Sequence, residues 1–484
     1  MSSDALHTLS ATEARERFLE RSLSPVELLD AVIARAEAVE PTVNALVHER
    51  FEAAREEAKA AERRFTCWAE QGGPEPRPLE GIPLAIKEEE AVAGHPWTQG
   101  SLIYKDLVAD HSSAFARRML DAGAIVHART TAPEFSCAGF THSRIHGVTR
   151  NPWNPEYGVG GSSGGAGAAL AAGTTTLASG SDIGGSIRLP ASFNGVVGFK
   201  PPYGRVPVEA PFNLDTYCHN GPLARTVADA ALYENVLAGP DPSDITTLRP
   251  KYVLPEGGFD GVEGLRIAVS TDLGSWEVDP EIRANTLACA EALRTAGATV
   301  DEVDLVVPRD QVLRATAIHF HLAFGAWIGE ETAAHADVAT AYAVEFARRM
   351  AAEAEGGTFL EELALEAALY APVGALLEAY DALLCPTIGT RGLIAGDDYV
   401  DTSLVVDGTD VGFYFNAFLT PVFNIMSRCP VLNVPSGFAA NGVPTGLQIV
   451  GRTYDDLTPF RVGAALEAVR PWPLVAPLEE AVAR

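Results

Sequence analysis

Two clusters of glycine and serine, Gly160-Gly161-Ser162-Ser163-Gly164-Gly165 and Ser181-Asp182-Ile183-Gly184-Gly185-Ser186, place hydroxyls in turns where backbone amides can approach a ligand. Clusters of this composition also serve as flexible linkers. These two, however, bracket the small-residue run Ala168 to Ala172, and the second leads into apolar Ile187 and Leu189. Three chemistries are open to them. Gly160 to Gly164 satisfies G-x-S-x-G, the nucleophile elbow, which needs a strand before the serine and an acid and a histidine after it. Asn154 to Val159 makes a poor strand, and of His219, His319, His321 and His335 only His219 lies in a stretch that reads as an active-site loop. A glycine-rich turn before a helix can cradle phosphate, but no GK[ST] follows and the G-x-G-x-x-G spacing is not met. The third chemistry joins Ser162 and Ser186 to Lys87. Serine attack on an amide needs a base, an oxyanion site and a proton for the leaving amine. Lysine becomes a base where burial disfavours its charge, and Lys87 closes the apolar run Gly81 to Ile86. A strand-end lysine that snorkels to solvent is the plainer alternative for Lys87 alone.

The elements around these residues alternate between strand and helix. Ser10-Ala11-Thr12-Glu13 and Ser24-Pro25-Val26-Glu27 carry the capping-box pattern, the second with proline at the first helical position. With the charged helix from Phe51 they predict an N-terminal helical layer over residues 1–70, closed by a Gly/Pro-rich loop from Gly72 to Pro78. Gly81 to Lys87 reads as a buried strand, Ser113 to Ala122 as a helix stopped by Gly123, and Ala124 to His127 as the next strand. Strands at Leu265 to Ser270 and Thr299 to Leu305 flank a helix that begins after Asp279-Pro280 and stops at Gly297. Ala315 to Glu355 is helical by pattern, within a helical cover over 310–380, and Asp381 to Pro386, Pro430 to Val434 and Gly446 to Val450 supply late strands. This alternation predicts an α/β layered fold with a largely parallel or mixed sheet.

Composition narrows the partners. The length of 484 residues carries a prior of about three domains. With 36 basic against 64 acidic residues the net charge is -28, which repels phosphate backbones and anionic lipid, so neither nucleic acid nor membrane is expected as a ligand. The acidic runs Glu56-Glu57 and Glu88-Glu89-Glu90 read as solvated faces rather than as a metal site. Six cysteines without a CxxC pair, no apolar signal segment and no strongly apolar window of about 18 residues predict a soluble protein with reduced thiols, in the cytoplasm.

In ordered motifs spread over nearly its whole length the chain resembles the amidase signature family: GIPLAIK at 81–87, TRNPWNP at 149–155, GGSSGG at 160–165, SDIGGSIRLPA at 181–191, GVVGFKPPYGRVP at 195–207, GPLARTVADAAL at 221–232 and VPTGLQIVGR at 443–452. The resemblance implies one amidase-signature domain over 1–484, against the length prior, with a central mixed β-sheet covered by helices on both faces and the catalytic motifs in 81–240. It implies that Lys87 is the catalytic lysine, Ser162 a bridging serine held on a cis peptide, and Ser186 the nucleophile that accepts the acyl group. The amides of Ile183, Gly184, Gly185 and Ser186 then form the oxyanion loop, with Asp182 and Arg188 as its structural support. No metal or organic cofactor is implied. Two positions depart from the family pattern: Glu88 stands where Asp is common, and Ala166 where a serine is frequent.

The expected reaction is hydrolysis of a carboxylic amide, with esters, aryl acylamides and carbamates (urethanes) open to the same chemistry, by a monomer or homodimer acting on a small molecule. The other reading is the glutaminase subunit of a tRNA-dependent amidotransferase. Segments 134–142, 211–219, 316–328 and 391–425, rich in aromatic residues, are expected to form the pocket and lid, with Ser136, Cys137, Phe140, Phe212 and Tyr217 as candidate lining residues for a bulky apolar or aryl substrate. His142, His146 and His219 fall near these segments and read as loop histidines with satisfied hydrogen bonds. His319 and His321 sit in a helical pattern that makes a metal pair improbable there.

Overall fold

Short apolar strands buried along their whole length organise the computed structural model, which describes residues 3–255 and 258–478. Eleven strands form one sheet: β1 (Leu46–Val47), β2 (Pro83–Lys87), β3 (Ile125–Thr130), β4 (Leu177–Asp182), β5 (Val197–Lys200), β6 (His219–Ala224), β7 (Arg266–Val269), β8 (Thr299–Glu302), β9 (Ala382–Pro386), β10 (Val431–Phe438) and β11 (Pro444–Gly451). Their spatial order is β1-β3-β2-β4-β6-β5-β10-β11-β9-β7-β8. Two parallel wings, β3/β2/β4 and β9/β7/β8, flank an antiparallel centre, so the sheet is mixed. Strands of the parallel wings are covered on both faces and read as continuous apolar runs.

On β2, Leu84 and Ile86 enter one core with Leu177, Phe199, Ile267, Leu432 and Ile449. Ala85 points the other way, onto Ala168, Ala169 and Ala172 of the helix Gly164–Ala172. Successive side chains alternate faces, so Lys87 shares the face of Ala85. The same side of the sheet carries the cover, whose Phe320, Phe346, Leu369 and Val373 share a core with Leu383, Val431 and Val450. The cover comprises Arg309–Phe320, a π-helical turn His321–Gly325, Ala326–Ala334, Ala341–Glu353 and Phe359–Ala379.

Helices Ala11–Leu19, Pro25–Val43 and Phe51–Gln71 make the N-terminal layer. The capping box is complete at Ser24. At Ser10 only its forward half forms, because Glu13 turns to Arg17 and the amides of Ala11 and Thr12 donate instead to the carboxylate of Asp229, at 3.0 and 2.8 Å. Strand β1 and two hairpins, His142–Ser143 with Gly147–Val148 and Leu404–Val406 with Thr409–Gly412, have no counterpart in the sequence reading; segments of two to four residues are too short to show a period. The six cysteines are unbridged.

Candidate active site

Strand β2 delivers Lys87 into the interior with 2% of its surface exposed. Its Nζ lies 2.7 Å from Ser162 Oγ, 2.9 Å from Ser181 Oγ and 2.5 Å from Glu89 Oε2, and its backbone amide donates to Ser179 Oγ at 2.9 Å. Arg129, buried on β3, donates to the carbonyls of Ile86 at 3.1 Å, Lys87 at 2.9 Å and Pro96 at 3.3 Å, and also to that of Glu90. Burial brings the Arg129 guanidinium down to about 10 against the charges of Glu88 and Glu90, so it stays cationic at neutral pH. This clamp fixes the backbone on both sides of Lys87.

The peptide between Gly161 and Ser162 is cis. A Cβ on Gly161 would stand 2.5 Å from the carbonyl oxygens of both Ala138 and Phe140, so only glycine fits there. The Ser163 amide donates to the Ser186 carbonyl at 3.2 Å, which ties the two glycine clusters together.

Asp182, at the end of β4, shapes the loop that carries Ser186. Its carboxylate accepts from the amides of Gly185 at 2.8 Å and Ile187 at 3.2 Å, from Arg188 Nε at 3.0 Å and Nη2 at 2.9 Å, and from Asn424 Nδ2 at 2.8 Å. Burial alone would raise this carboxyl, but Arg188 and Asn424 outweigh it and hold it well below the usual carboxylate range. Arg188 also reaches the Thr420 carbonyl at 2.9 Å, Gln448 Oε1 at 2.7 Å and Asn424 Oδ1 at 2.7 Å. Gly185 adopts φ +128°, and a Cβ there would come within 2.2 Å of Thr420 Oγ1. The Gly185 amide is already committed to Asp182, which leaves those of Ile183, Gly184 and Ser186 as the loop amides without a hydrogen bond among the described residues.

The run Glu88-Glu89-Glu90 is not a solvated face. Glu88 is fully buried, accepts from Thr98 Oγ1 at 2.5 Å and pairs with His146 Nε2 at 2.7 Å. Burial raises the Glu90 carboxyl to about 7, although it accepts from Ser113 Oγ. Glu89, half-buried, accepts from Lys87, Ser136 and Ser181. Burial alone would raise its carboxyl as well; Lys87 and the two hydroxyls hold it below its ordinary range. The run lies at the C-terminal end of a buried strand, where partners from distant segments absorb its charge. Composition could not reveal them.

Ser186 is 9% exposed, and its hydroxyl makes no hydrogen bond among the described residues. It lines a cavity of about 30 Å³ with Gly161, Ile183 and Gly184 on one side. Ser136 and Cys137 line it, and five phenylalanines, Phe320, Phe324, Phe346, Phe415 and Phe418, supply an aromatic wall. Phe346 lies outside every segment assigned to the pocket from sequence. Phe140 is stacked on His142 at 4.6 Å. Tyr217 is buried against His319 at 3.6 Å, and Phe212 is 37% exposed on a single turn, Phe212–Leu214. None of these three touches the cavity: aromatic content marked the right segments, but which side chain turns inward depends on tertiary packing.

The elbow alternative finds neither of its supports. Residues 158–163 form no strand, and His219 is held by the carbonyls of Tyr217 at 2.7 Å and Ser427 at 3.2 Å. Burial, aided by Lys200, takes the His219 imidazole down to about 3.

Comparison with known proteins gives a family match and several likenesses. The sequence profile of the amidase family matches residues 27–458. An acylamidase of Rhodococcus erythropolis is 32% identical over 482 residues, covering 98% of this chain and 98% of that protein. A glutamyl-tRNA(Gln) amidotransferase subunit of Thermosynechococcus vestitus is also 32% identical, over 489 residues, with 95% of this chain and 98% of that protein covered. Among solved structures, a bacterial aryl acylamidase of the amidase signature enzymes superposes with a TM-score of 0.87 at 30% identity, covering 96% of this chain and 97% of that one.

Proposed function

The chain belongs to the amidase signature family and is a hydrolase of amide C–N bonds, and from that premise we propose that it cleaves bulky apolar or aryl amides through an acyl-enzyme on Ser186. Neutral Lys87 takes the proton of Ser162 as Ser162 takes that of Ser186, and Ser186 Oγ attacks the substrate carbonyl carbon. The amides of Ile183, Gly184 and Ser186 receive the oxyanion. The C–N bond breaks as Ser162 returns a proton to the departing amine. Water, deprotonated through the same relay, then releases the carboxylic acid and frees Ser186. The observation that carries this reading is the 2.7 Å contact of Lys87 Nζ with Ser162 Oγ beside a serine whose own hydroxyl is unbonded at a cavity.

The five-phenylalanine wall supports the choice of substrate. No charged side chain lines the cavity, so the ammonium and carboxylate of glutamine would be buried there unpaired. The free space beside Ser186, about 30 Å³, is smaller than an aryl amide, so the lining must rearrange to admit one. Esters and carbamates (urethanes) offer the same electrophilic carbonyl and belong in the substrate range.

A panel of anilides, aliphatic amides, esters, carbamates and glutamine, offered to the purified chain alone, tests the proposal. Anilide turnover well above glutamine turnover is the expected result. Hydrolysis of glutamine only, and only with a partner chain and tRNA, would favour the amidotransferase reading, which the Thermosynechococcus likeness keeps in view. The proposed setting is a single cytoplasmic domain, monomeric or homodimeric, without nucleic acid. No helix among the described residues is long and apolar enough to cross a membrane, and the net charge is -28.

A further inference from the structure

We propose that Glu89 is a positioning residue for Lys87: its carboxylate aims the lysine at Ser162 and holds it as an ammonium at rest, so that Glu89 sets the pH at which the base becomes available. The inference rests on the function proposed above and adds a group to its machinery. An ammonium has three N–H donors and no acceptor. Lys87 Nζ has three acceptors in place, Ser162 Oγ at 2.7 Å, Ser181 Oγ at 2.9 Å and Glu89 Oε2 at 2.5 Å. In that arrangement Ser162 accepts a hydrogen bond from Lys87 and cannot yet hand it a proton.

Glu89 is itself held in place. Ser136, whose φ of +55° puts it in the left-handed region, donates its hydroxyl to Glu89 Oε2, and Ser181 donates to the same atom at 3.3 Å. Ser136 also lines the substrate cavity, so the aim of Glu89 is fixed from the substrate side. The charged and titratable groups facing the pair are Glu88 and Glu90 beside it in the chain and Cys218 from the segment ahead of β6; Arg129 from β3 lies against Glu88 and Glu90, Glu209 against Glu90, and Asp215 against Cys218. Of these Glu88 is engaged by His146, Glu90 by Ser113, and Arg129 by backbone carbonyls. Glu89 is the one carboxylate in contact with the ammonium among the described residues.

The proton balance has two sides. Before turnover the ammonium must lose one proton to solvent, which the adjacent carboxylate opposes. During attack the neutral amine gains the proton of Ser162 and becomes an ammonium again, which the same carboxylate favours. Glu89 therefore delays the onset of activity toward alkaline pH and strengthens the base once it is free. An opposite charge in direct contact is worth about 1 to 3 pH units.

Glu89→Gln keeps the size and the hydrogen bonds but removes the charge. Its pH–rate profile for anilide hydrolysis should rise at least about 1 unit lower than that of the wild type and level off lower, because a weaker base transfers protons less well. The two profiles cross, with Glu89→Gln faster on the acid side and slower on the alkaline side; a merely structural role would lower the rate at every pH. Glu89→Asp, which keeps the charge, should keep the wild-type onset. Glu90→Gln serves as the control for the neighbouring carboxyl.

A readout independent of turnover accompanies the kinetics. The chain has only five lysines, Lys59, Lys87, Lys105, Lys200 and Lys251, so lysine labelled with ¹³C at Cε gives a spectrum in which Lys87 is assigned by its loss in Lys87→Arg. The change that marks deprotonation of Lys87 should come at lower pH in Glu89→Gln than in the wild type. Should Glu89→Gln not fold, Glu89→Ser carries the same comparison. Amide turnover with both the onset and the Lys87 signal indifferent to loss of the Glu89 charge would overturn the role of Glu89 alone. A moved Lys87 signal in a chain that hydrolyses none of the panel would leave the ionic role standing and remove the proposed function.

Discussion

Ser162 and Ser186 carry the same hydroxyl in different surroundings, and labelling should separate them. Ser162 Oγ is engaged by Lys87 and 1% of the residue is exposed, whereas Ser186 opens on the cavity with its hydroxyl free. A fluorophosphonate should modify the peptide that holds Ser186 and leave Ser162 untouched. Ser186→Ala should not label at all, and Ser162→Ala should label about 10² to 10⁴ times more slowly because the relay is interrupted. Lys87→Ala should lose amide turnover while keeping its fold. Stoichiometric adduct on Ser162, located by peptide mass spectrometry, would sink the assignment. The turns that hold both serines and the buried strand that ends at Lys87 were legible in the sequence because glycine-dense clusters and an apolar run are local features, while their proposed roles came from the resemblance. Glu89 was not legible, because its burial is the work of Ser136, Ser181 and Lys87 acting together, and a run of three acids looks the same in solvent as in the interior.

At the scale of elements, one imidazole ties two helices of the cover to the segment ahead of β6. His319, on the helix Arg309–Phe320, pairs through Nδ1 with Glu362 Oε1 at 2.5 Å on the helix Phe359–Ala379 and through Nε2 with Asp215 Oδ1 at 2.8 Å. Burial alone would depress this imidazole, but the two carboxylates outweigh it and raise it to about 9. A raised value means that the linkage contributes fully below the ordinary histidine range near 6.5 and is lost as pH rises through about 9. Amide hydrogen exchange in 309–320 and 359–379, corrected for intrinsic rates, should therefore quicken between pH 6 and pH 10. His319→Gln should abolish that step, and a step of equal size in the variant would refute the latch. The next residue is Phe320, part of the cavity wall, so loosening the latch loosens the wall. Helix positions in the cover were legible from the 3.6-residue period. The π-helical turn between Phe320 and Ala326 was not, since one extra residue in a turn leaves the apolar pattern nearly unchanged.

At the scale of the molecule, a single sheet runs through strands drawn from residues 46 to 451, and its centre joins β5 to β10, which lie far apart in the chain. The alternation of helix and strand was legible in the sequence; the strand order was not, because pairings at such separation leave no local mark. The loop that carries Ser186 depends on that long-range join. Arg188 is anchored by Thr420, Asn424 and Gln448, and the cavity wall by Phe415 and Phe418. A fragment of residues 1–240 holds Lys87, Ser162 and Ser186 but none of these anchors. It should fail to react with a fluorophosphonate, and the fragment 241–484 added in trans should restore labelling; reaction of the first fragment alone would contradict this dependence.

The anchoring of Arg188 also orders events on the ribosome. Lys87, Ser162 and Ser186, the proposed catalytic residues, emerge early in translation, yet the Gln448 that anchors Arg188 beside the Ser186 loop is among the last parts of the chain to be made. Until the last strands arrive, the nascent chain holds Ser186 without the anchors that Thr420, Asn424 and Gln448 give to its loop in the folded protein.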